Sequence, residues 1–528
     1  MPLASDMEWL LDSYSRSDAR PIPNNVEKIR LNQLVSKLGF FYEKFRNAID
    51  YNDEHLVRRN ALERLLRRQL LFLQDPDPTR VSQALIFEFV RARYLPNDTL
   101  PETVITDVAT IITKYQTIFG LFAQHRVANQ DKLREWMISV AATEVDEFFF
   151  PTTKTQAMTH FMYSRMVDTV VITNAAIDDK EKNLQLYIAT LKTLLKADAT
   201  HLRYRLLRLY VNDWGTLTGD RLVDVTSQLA TLRQRIDWHL AHPMGFQLTQ
   251  AVRRQSVFFT ILRELIERHG SDHALFTDDN RLAAQTEAIC STNYKRIKGK
   301  LVGSIFRVIL YILFTKTILA FVFELPFDRL VYGQIHWIPL LINVLFHPFL
   351  MFVVAMTISV PGAANTKIII EELKKIVHGG ERKVVVKIKK SLKRGSASYI
   401  IFNTLYALMF VISFGIIVRI LMSLNFNLMS GLLFVFFLTV VSFFGFRLRN
   451  LAKQLSVIPR KDNLANFIVD FFSLPIIRVG RFFSANFARV NIFLYILDFV
   501  IETPFKLMVE FLERAMSFVK DKREEIVE

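Results

Sequence analysis

The sequence predicts an all-α integral membrane protein: a large N-terminal helical bundle, then four transmembrane helices and C-terminal amphipathic helices. Two observations lead to this prediction. Hydrophobic residues make up 51% of a 528-residue chain that also carries 22% charged residues, so its apolar residues must be concentrated in particular segments. Glycine (17) and proline (16) are scarce for this length, which favours helix throughout.

Four apolar stretches are long enough to cross a membrane as helices, which takes about 20 residues each. They cover approximately 301–325, 338–360, 398–423 and 428–446. The second and the fourth contain no Lys, Arg, Asp or Glu. We therefore expect a transmembrane region at 295–446, with a basic loop at 361–396.

The distribution of basic residues predicts the orientation. Three basic segments precede the first span, join the second to the third, and follow the fourth; together they account for the whole net charge of +16. Lysine and arginine in short loops mark the cytoplasmic side, so we expect both chain termini in the cytoplasm. We expect the membrane to be a bacterial inner (plasma) membrane. Because topology explains the basicity, no nucleic-acid partner is predicted.

The basic segments are also candidates for contact with anionic lipid head groups, since each basic residue near the membrane surface contributes about 1 kcal/mol. The alternative is that they only determine topology. The predicted lipid-contact residues are Lys383, Lys387, Lys389, Lys390, Lys393, Arg394, Arg447 and Arg449.

Five ionisable residues lie within the predicted spans. Arg307 and Arg419 are near span ends and can snorkel to the interface, whereas Lys316, Glu324 and His347 are the candidates for a polar site. Lys316 and His347 are each about nine residues from the predicted outer end of their span, and Glu324 follows Lys316 by eight residues, on roughly the same helix face. Charge at this depth costs at least ~2.5–3.5 kcal/mol. One hypothesis is a polar site that lines a pathway. The alternatives are a structural hydrogen bond between the first two spans, or a lysine that snorkels to the interface.

Residues 1–294 read as a succession of amphipathic helices with short breaks, such as Asp75-Pro76-Asp77-Pro78. The segment has no fixed repeat and no strand-like alternation, which favours a non-repetitive cytoplasmic bundle, with a division into two lobes near residue 150 as an option. Its last helix, about 278–298, is expected to continue into the first span.

Residues 447–528 are predicted to form cytoplasmic or interfacial amphipathic helices. The segment 463–480 is apolar but contains Asp470, Pro475 and Arg478, so we expect it to be interfacial or re-entrant. A fifth and a sixth span in this region is the rival interpretation.

Catalytic chemistry finds little support in the sequence. Phosphate-binding glycine loops, G-x-S-x-G and H-E-x-x-H are absent, so neither a cofactor nor an enzymatic activity is predicted. Two clusters contain metal-ligand types at short spacing, although histidines at helix ends are more often solvated. These weak candidates are Asp237, His239 and His242, and His269, Asp272 and His273.

Three functions follow from these observations. The first is a membrane-anchored scaffold or interaction platform, with a protein partner or further copies of itself bound through residues 1–294. The alternative is an oligomeric channel or transporter that uses Lys316 and His347. The third is an enzyme at the membrane interface that acts on lipid.

Overall fold

The computed structural model describes residues 2–17, 27–29, 54–73, 77–124, 129–174, 177–387, 397–458 and 463–489. Regular structure in these residues is helical apart from two four-residue strands, which confirms the all-α fold class. The N-terminal elements are α1 (Ser5–Ser17), α2 (Glu54–Arg67), α3 (Pro78–Arg91), α4 (Thr103–Gln124), α5 (Gln130–Phe149), α6 (Thr153–Thr169), β1 (Val170–Thr173), α7 (Asp179–Leu194), α8 (Ala199–Tyr210) and α9 (Gly219–Leu240). The later elements are α10 (Gly245–His269), α11 (His273–Thr277), α12 (Asp279–Leu319), α13 (Trp337–Met356), α14 (Ala363–His378), β2 (Val384–Lys387), α15 (Ala397–Ser423), α16 (Leu428–Ala452) and α17 (Leu464–Arg489).

The chain divides into two compact units. In the described part of the chain, one unit contains residues 2–12, 168–174 and 253–489, and we call it the membrane unit because it holds all four of the apolar helices. The other contains the described residues within 13–167 and 177–252, and we call it the helical unit.

Four helices of the membrane unit are long and apolar enough to cross a membrane: α12 with its helical continuation to Tyr332, then α13, α15 and α16. They coincide with the four predicted stretches. Helix α12 runs for 41 residues without a break, as expected for a helix that continues into the first span. Beyond it, Ala320–Glu324 and Asp328–Tyr332 form π-helical turns, which are frequent at functional sites.

Helices α12, α13 and α16 pack against one another, and α17 packs against both α15 and α16. The contact with α16 is so close that a Cβ atom at Gly480 would lie 2.0 Å from the carbonyl oxygen of Thr439. Helix α17 continues through Pro475. Its Arg478 donates a hydrogen bond to the Tyr406 hydroxyl on α15 (2.6 Å), so neighbouring helices satisfy its polar group. The predicted amphipathic helices after residue 489 lie outside the described residues.

Strands β1 and β2 pair in parallel, with Val170 opposite Val384 and Thr173 opposite Lys387. A β-prone segment was expected near β2. No strand was expected in residues 1–294, so β1 corrects that prediction. Four residues are too few to establish a period-2 pattern, and the partner strand lies far along the chain.

The helical unit is built on buried aromatic side chains, among which Tyr115 and Trp214 are fully enclosed. At the centre of this core, the Glu144 carboxylate accepts hydrogen bonds from Lys114 Nζ (2.6 Å), the Tyr115 hydroxyl (2.5 Å) and Trp214 Nε1 (3.1 Å). The predicted break before α3 is present: Asp77 caps that helix by accepting from the backbone N–H of Thr79 (2.9 Å).

Candidate functional site

A buried polar network joins three of the spans, and Lys316 lies at one end of it. This lysine is 0% exposed, on the last turn of α12. Its ammonium donates a hydrogen bond to the Asn343 side-chain oxygen on α13 and lies 4.5 Å from the centre of the Phe437 ring on α16. Because the side chain is fully enclosed and bonded inside the helix cluster, it does not snorkel to the interface.

The Asn343 carboxamide connects Lys316 to a buried carboxylate. Its Nδ2 donates to Glu324 Oε1 (2.6 Å) and to the backbone oxygen of Ser430 on α16 (3.2 Å). The Ser430 hydroxyl donates in turn to Glu324 Oε2 (3.2 Å). Lys316 therefore contacts the oxygen of the Asn343 carboxamide, and Glu324 contacts its nitrogen. The positive and negative charges of the two side chains balance each other within the apolar layer.

His347 occupies the next turn of α13, with backbone carbonyls at both of its ring nitrogens. Nδ1 lies 3.0 Å from the oxygen of Asn343, and Nε2 lies 3.0 Å from the oxygen of Phe434 on α16. A neutral imidazole carries one N–H and satisfies only one of these oxygens, whereas an imidazolium satisfies both. The ring is therefore held between α13 and α16 by contacts at both of its nitrogens.

A second carboxylate extends the network into the turn between α12 and α13. Asp328 is buried and accepts hydrogen bonds from the His336 backbone N–H (2.9 Å) and from the Asn427 side chain. Asn427 also caps α16, where its Oδ1 accepts from the Ser430 N–H (2.8 Å). Polar contacts therefore run continuously from Asp328 through Asn427, Ser430, Glu324 and Asn343 to Lys316.

Sequence reasoning identified Lys316, Glu324 and His347 but missed the groups that connect them. Asn343, Ser430 and Asn427 carry no charge, so a search for ionisable residues does not find them. One signal was available: Asn343 precedes His347 by four residues, which puts both on one face of α13.

The first cluster of metal-ligand types serves structural contacts in the helical unit. Asp237 forms an ion pair with Arg203 (2.9 Å). The imidazole of His239 lies between Glu181 (2.9 Å) and the Tyr210 hydroxyl (2.7 Å). The ring of His242 accepts from the Met244 N–H (3.4 Å).

The second cluster surrounds a helix start in the membrane unit. Asp272 caps α11 by accepting from the Ala274 N–H (3.0 Å), and His269 and His273 lie at the adjoining ends of α10 and α11. Across the ranges that the structure describes, no three His, Cys, Asp or Glu side chains are grouped closely enough to hold a metal ion.

The predicted lipid-contact residues fall in three places. Lys383 and Lys387 are exposed at the two ends of β2. Arg447 and Arg449 lie near the end of α16, where Arg449 donates to the Thr357 hydroxyl (2.9 Å). The remaining four, Lys389, Lys390, Lys393 and Arg394, lie outside the described residues.

The apolar helices that surround the network define the class of protein. Large hydrophobic side chains such as Phe314, Ile318, Phe349 and Val411 are exposed along them, as in helices that face lipid rather than water. With four such helices of spanning length, the chain has the characteristics of an integral membrane protein. Comparisons with family models, curated proteins and solved structures find no match to it.

Proposed function

We propose that the protein moves protons across the membrane, as an oligomeric channel or transporter, and that the network around Lys316 is its intramembrane site. The observation that carries this proposal is the fully buried lysine held against Glu324 through the Asn343 carboxamide. Ionisable groups in the apolar layer are expensive and mark ion pathways or proton relays by default. Such an activity needs no covalent chemistry, in keeping with the expectation of a non-enzymatic protein.

The network accounts for one transported proton per cycle. A proton that enters from one side binds the Glu324 carboxylate, which leaves the Lys316 ammonium without its balancing charge. Loss of a proton from Lys316 to the other side makes both groups neutral. Transfer of the glutamic-acid proton to the Lys316 amine then restores the ionised pair, so the net result is one proton carried across.

The test is proton flux in liposomes that contain the purified protein and a pH-sensitive dye. Lys316→Met and Glu324→Gln are each expected to lower the flux at least tenfold, since each removes one proton-carrying group. Thr315→Ala is the matched control, because this neighbouring hydroxyl bonds to the Tyr311 oxygen within its own helix (2.6 Å).

The double variant Lys316→Met/Glu324→Gln separates transport from a structural role. It removes both charges of the Lys316–Glu324 pair, so it relieves the unbalanced charge that each single variant leaves in the apolar layer. A proton carrier remains inactive in this variant. Flux at the wild-type level in the double variant, or no flux from the wild type above empty liposomes, would refute the proposal.

A second candidate function is the interaction platform. It is supported by exposed aromatic side chains at the end of α9 and the start of α10, on either side of the turn that joins them. Trp238 is 58% exposed and Phe246 is 73% exposed there, and exposed aromatic side chains of this size are typical of hot spots in protein interfaces. In-cell cross-linking should recover a recurrent partner with the wild type and lose it with Trp238→Ser/Phe246→Ser. Val223→Ser, on the same helix, is the control; retention of the partner by the double variant contradicts this role.

A further inference from the structure

A cavity of about 470 Å³ opens in the membrane unit, between α12 and the segment that follows α13. One wall is formed by α12 around the start of its apolar stretch, and the other by residues 355–361. The residues that matter for its chemistry are Lys295, Lys298, Leu301, Val302, Ile305 and Ile358.

Along α12 the lining changes from basic to apolar on a single helix face. Lys298, Leu301, Val302 and Ile305 follow one another at intervals of three, four and seven residues from the lysine, which is the spacing of one helical stripe. The distance from Lys298 to Ile305 along the axis is about 10 Å, at 1.5 Å per residue. A ligand that fills this cavity must therefore be anionic at one end and apolar at the other.

The two lysines are available to such a ligand. Both are exposed, and no acidic residue lines the cavity beside them. Arg296 and Lys300, which do not line the cavity, add further positive charge to the same helix segment. The cavity thus has the charge that an anion requires, without a carboxylate that competes for it.

The wall beside the lysines is held in place by hydrogen bonds. The Tyr294 hydroxyl, which also lines the cavity, accepts from Asn365 Nδ2 (2.9 Å) and from the Thr366 hydroxyl (3.3 Å). Asn365 is buried and also donates to the Leu455 carbonyl (2.8 Å), so α12, α14 and the segment that follows α16 are joined at this point. A preformed cavity of this kind is typical of ligand sites.

We propose that this cavity binds one anionic phospholipid, with the phosphate at Lys295 and Lys298 and the upper acyl chain against Leu301, Val302 and Ile305. This inference rests on the proposed membrane arrangement of α12, because the basic end of the cavity lies just beyond the apolar stretch, at the level of the head groups. It differs from attraction to the basic loop, since it assigns a discrete site to a single lipid. Anionic lipids are concentrated in the leaflet that the sequence predicts for this side.

The test is lipid binding to the full-length protein in detergent, followed by native mass spectrometry during titration with phosphatidylglycerol or with phosphatidylcholine of the same acyl chains. Each lysine is expected to contribute about fivefold to the affinity, so Lys295→Gln/Lys298→Gln should weaken phosphatidylglycerol binding roughly 25-fold. Phosphatidylcholine binding should be weak and unchanged in the variant.

Two further variants keep the proposal falsifiable. Lys132→Gln/Lys180→Gln removes the same charge from exposed lysines outside the cavity and outside the predicted lipid-contact residues, and it should leave binding within about twofold of wild type. Val302→Trp keeps both cavity lysines but fills the apolar part, and it should weaken phosphatidylglycerol binding at least fivefold. Equal losses in the two lysine pairs, or no loss in either cavity variant, overturn the proposal.

The source of the anion and the proton-transport proposal are tested separately. Soluble glycerol 3-phosphate should not displace the bound lipid at equal concentration; displacement would identify a site for a free phosphate ester and overturn the lipid assignment. Lys316→Met should bind phosphatidylglycerol as the wild type does. Because binding in detergent needs no flux, an absence of proton transport refutes the transport proposal and leaves this measurement valid.

Discussion

Replacement of Glu144 by glutamine should be among the most destabilising single changes in the helical unit. The carboxylate lies between three buried donors, Lys114, Tyr115 and Trp214, and is itself buried. Glutamine has nearly the same shape, so the substitution removes the charge while it leaves the packing largely intact. The change therefore isolates the electrostatic contribution of this group.

The expected cost follows from the position of Lys114. Burial lowers the pKa of this lysine in spite of the opposing effect of Glu144. A lysine whose folded pKa lies below its unfolded value destabilises the fold wherever it is charged. At neutral pH the Glu144 carboxylate offsets part of this cost, beside the Trp214 carbonyl oxygen that also accepts from the ammonium (2.8 Å). Loss of the partner of a buried charge costs about 3–5 kcal/mol.

Two further variants should lower the free energy of unfolding less than Glu144→Gln does. Lys114→Met leaves the carboxylate with its Tyr115 and Trp214 donors, and should cost less, about 1.5–3 kcal/mol. The double variant Lys114→Met/Glu144→Gln removes both charges and should recover at least half of the loss caused by Glu144→Gln, since neutral replacement of a buried pair is often tolerated.

Amide hydrogen exchange by mass spectrometry measures these costs in the full-length protein, on peptides from α4 and α5. Glu144→Gln should accelerate exchange there roughly 10²- to 10⁴-fold. Glu135→Gln on the same helix is the control: its side chain is 48% exposed and pairs with Arg67, so the effect should stay below roughly fivefold. Equal protection in the two glutamine variants, or a double variant that exchanges as fast as Glu144→Gln, would refute the reasoning.

Three further predictions concern acid stability, helix packing and thiol access. Burial disfavours the ionised form of Asp198, but hydrogen bonds from His201 and Arg59 outweigh it and hold the pKa of Asp198 well below its usual range. Its stabilising effect is therefore present above about pH 4 and is lost as pH falls further, so circular dichroism of wild type and Asp198→Asn should converge towards pH 2. Gly445→Ala should lower the free energy of unfolding in detergent by about 1–3 kcal/mol, and with it the melting temperature, because the added Cβ would lie 2.6 Å from Val354 Cγ1. Gly431→Ala should leave the melting temperature unchanged, because no atom lies within 4 Å of the position of its Cβ. Cys290, the single cysteine, is buried, so a maleimide should label it far more slowly in the native protein than in SDS.

The controls for these predictions are direct. The argument from the lowered pKa of Asp198 would be contradicted if Asp198→Asn were less stable than the wild type by the same margin at pH 2 as at neutral pH. Equal melting temperatures for the two glycine variants would contradict the close contact between α13 and α16. Equal labelling rates for Cys290 in both conditions would show that the thiol is accessible.

The spans could be predicted from the sequence because each is a local property of about 20 consecutive residues. The similar depth of Lys316 and His347 was also available, by counting residues from the predicted outer ends of the spans. The contacts that connect Lys316 and His347 to the rest of the network could not be predicted, because they depend on which faces of α12, α13 and α16 meet. That choice is made by packing, for example at Gly445, where the absence of a side chain allows α16 to approach Val354.

Two other features show where local patterns fail. Strand β1 forms because Val170–Thr173 pairs with residues more than two hundred positions later, and no local rule anticipates such a partner. The segment 463–480 was expected to be interfacial or re-entrant because it contains Asp470, Pro475 and Arg478, and it lies within the continuous helix α17. A proline within a helix frees one carbonyl at most, and close packing against α16 at Gly480 stabilises the helix on both sides of it.

Helix α12 is so long that a small tilt gives a large displacement of its ends. Its 41 residues extend over about 61 Å, and a tilt of about 5° moves one end by about 5 Å relative to the other. Helix α14 is attached to the far end, where His378 (3.0 Å) and Lys374 (3.2 Å) both contact the carboxylate of Asp279. The contact with α14 and the Lys316 ammonium therefore belong to one continuous helix, about 55 Å apart along its axis.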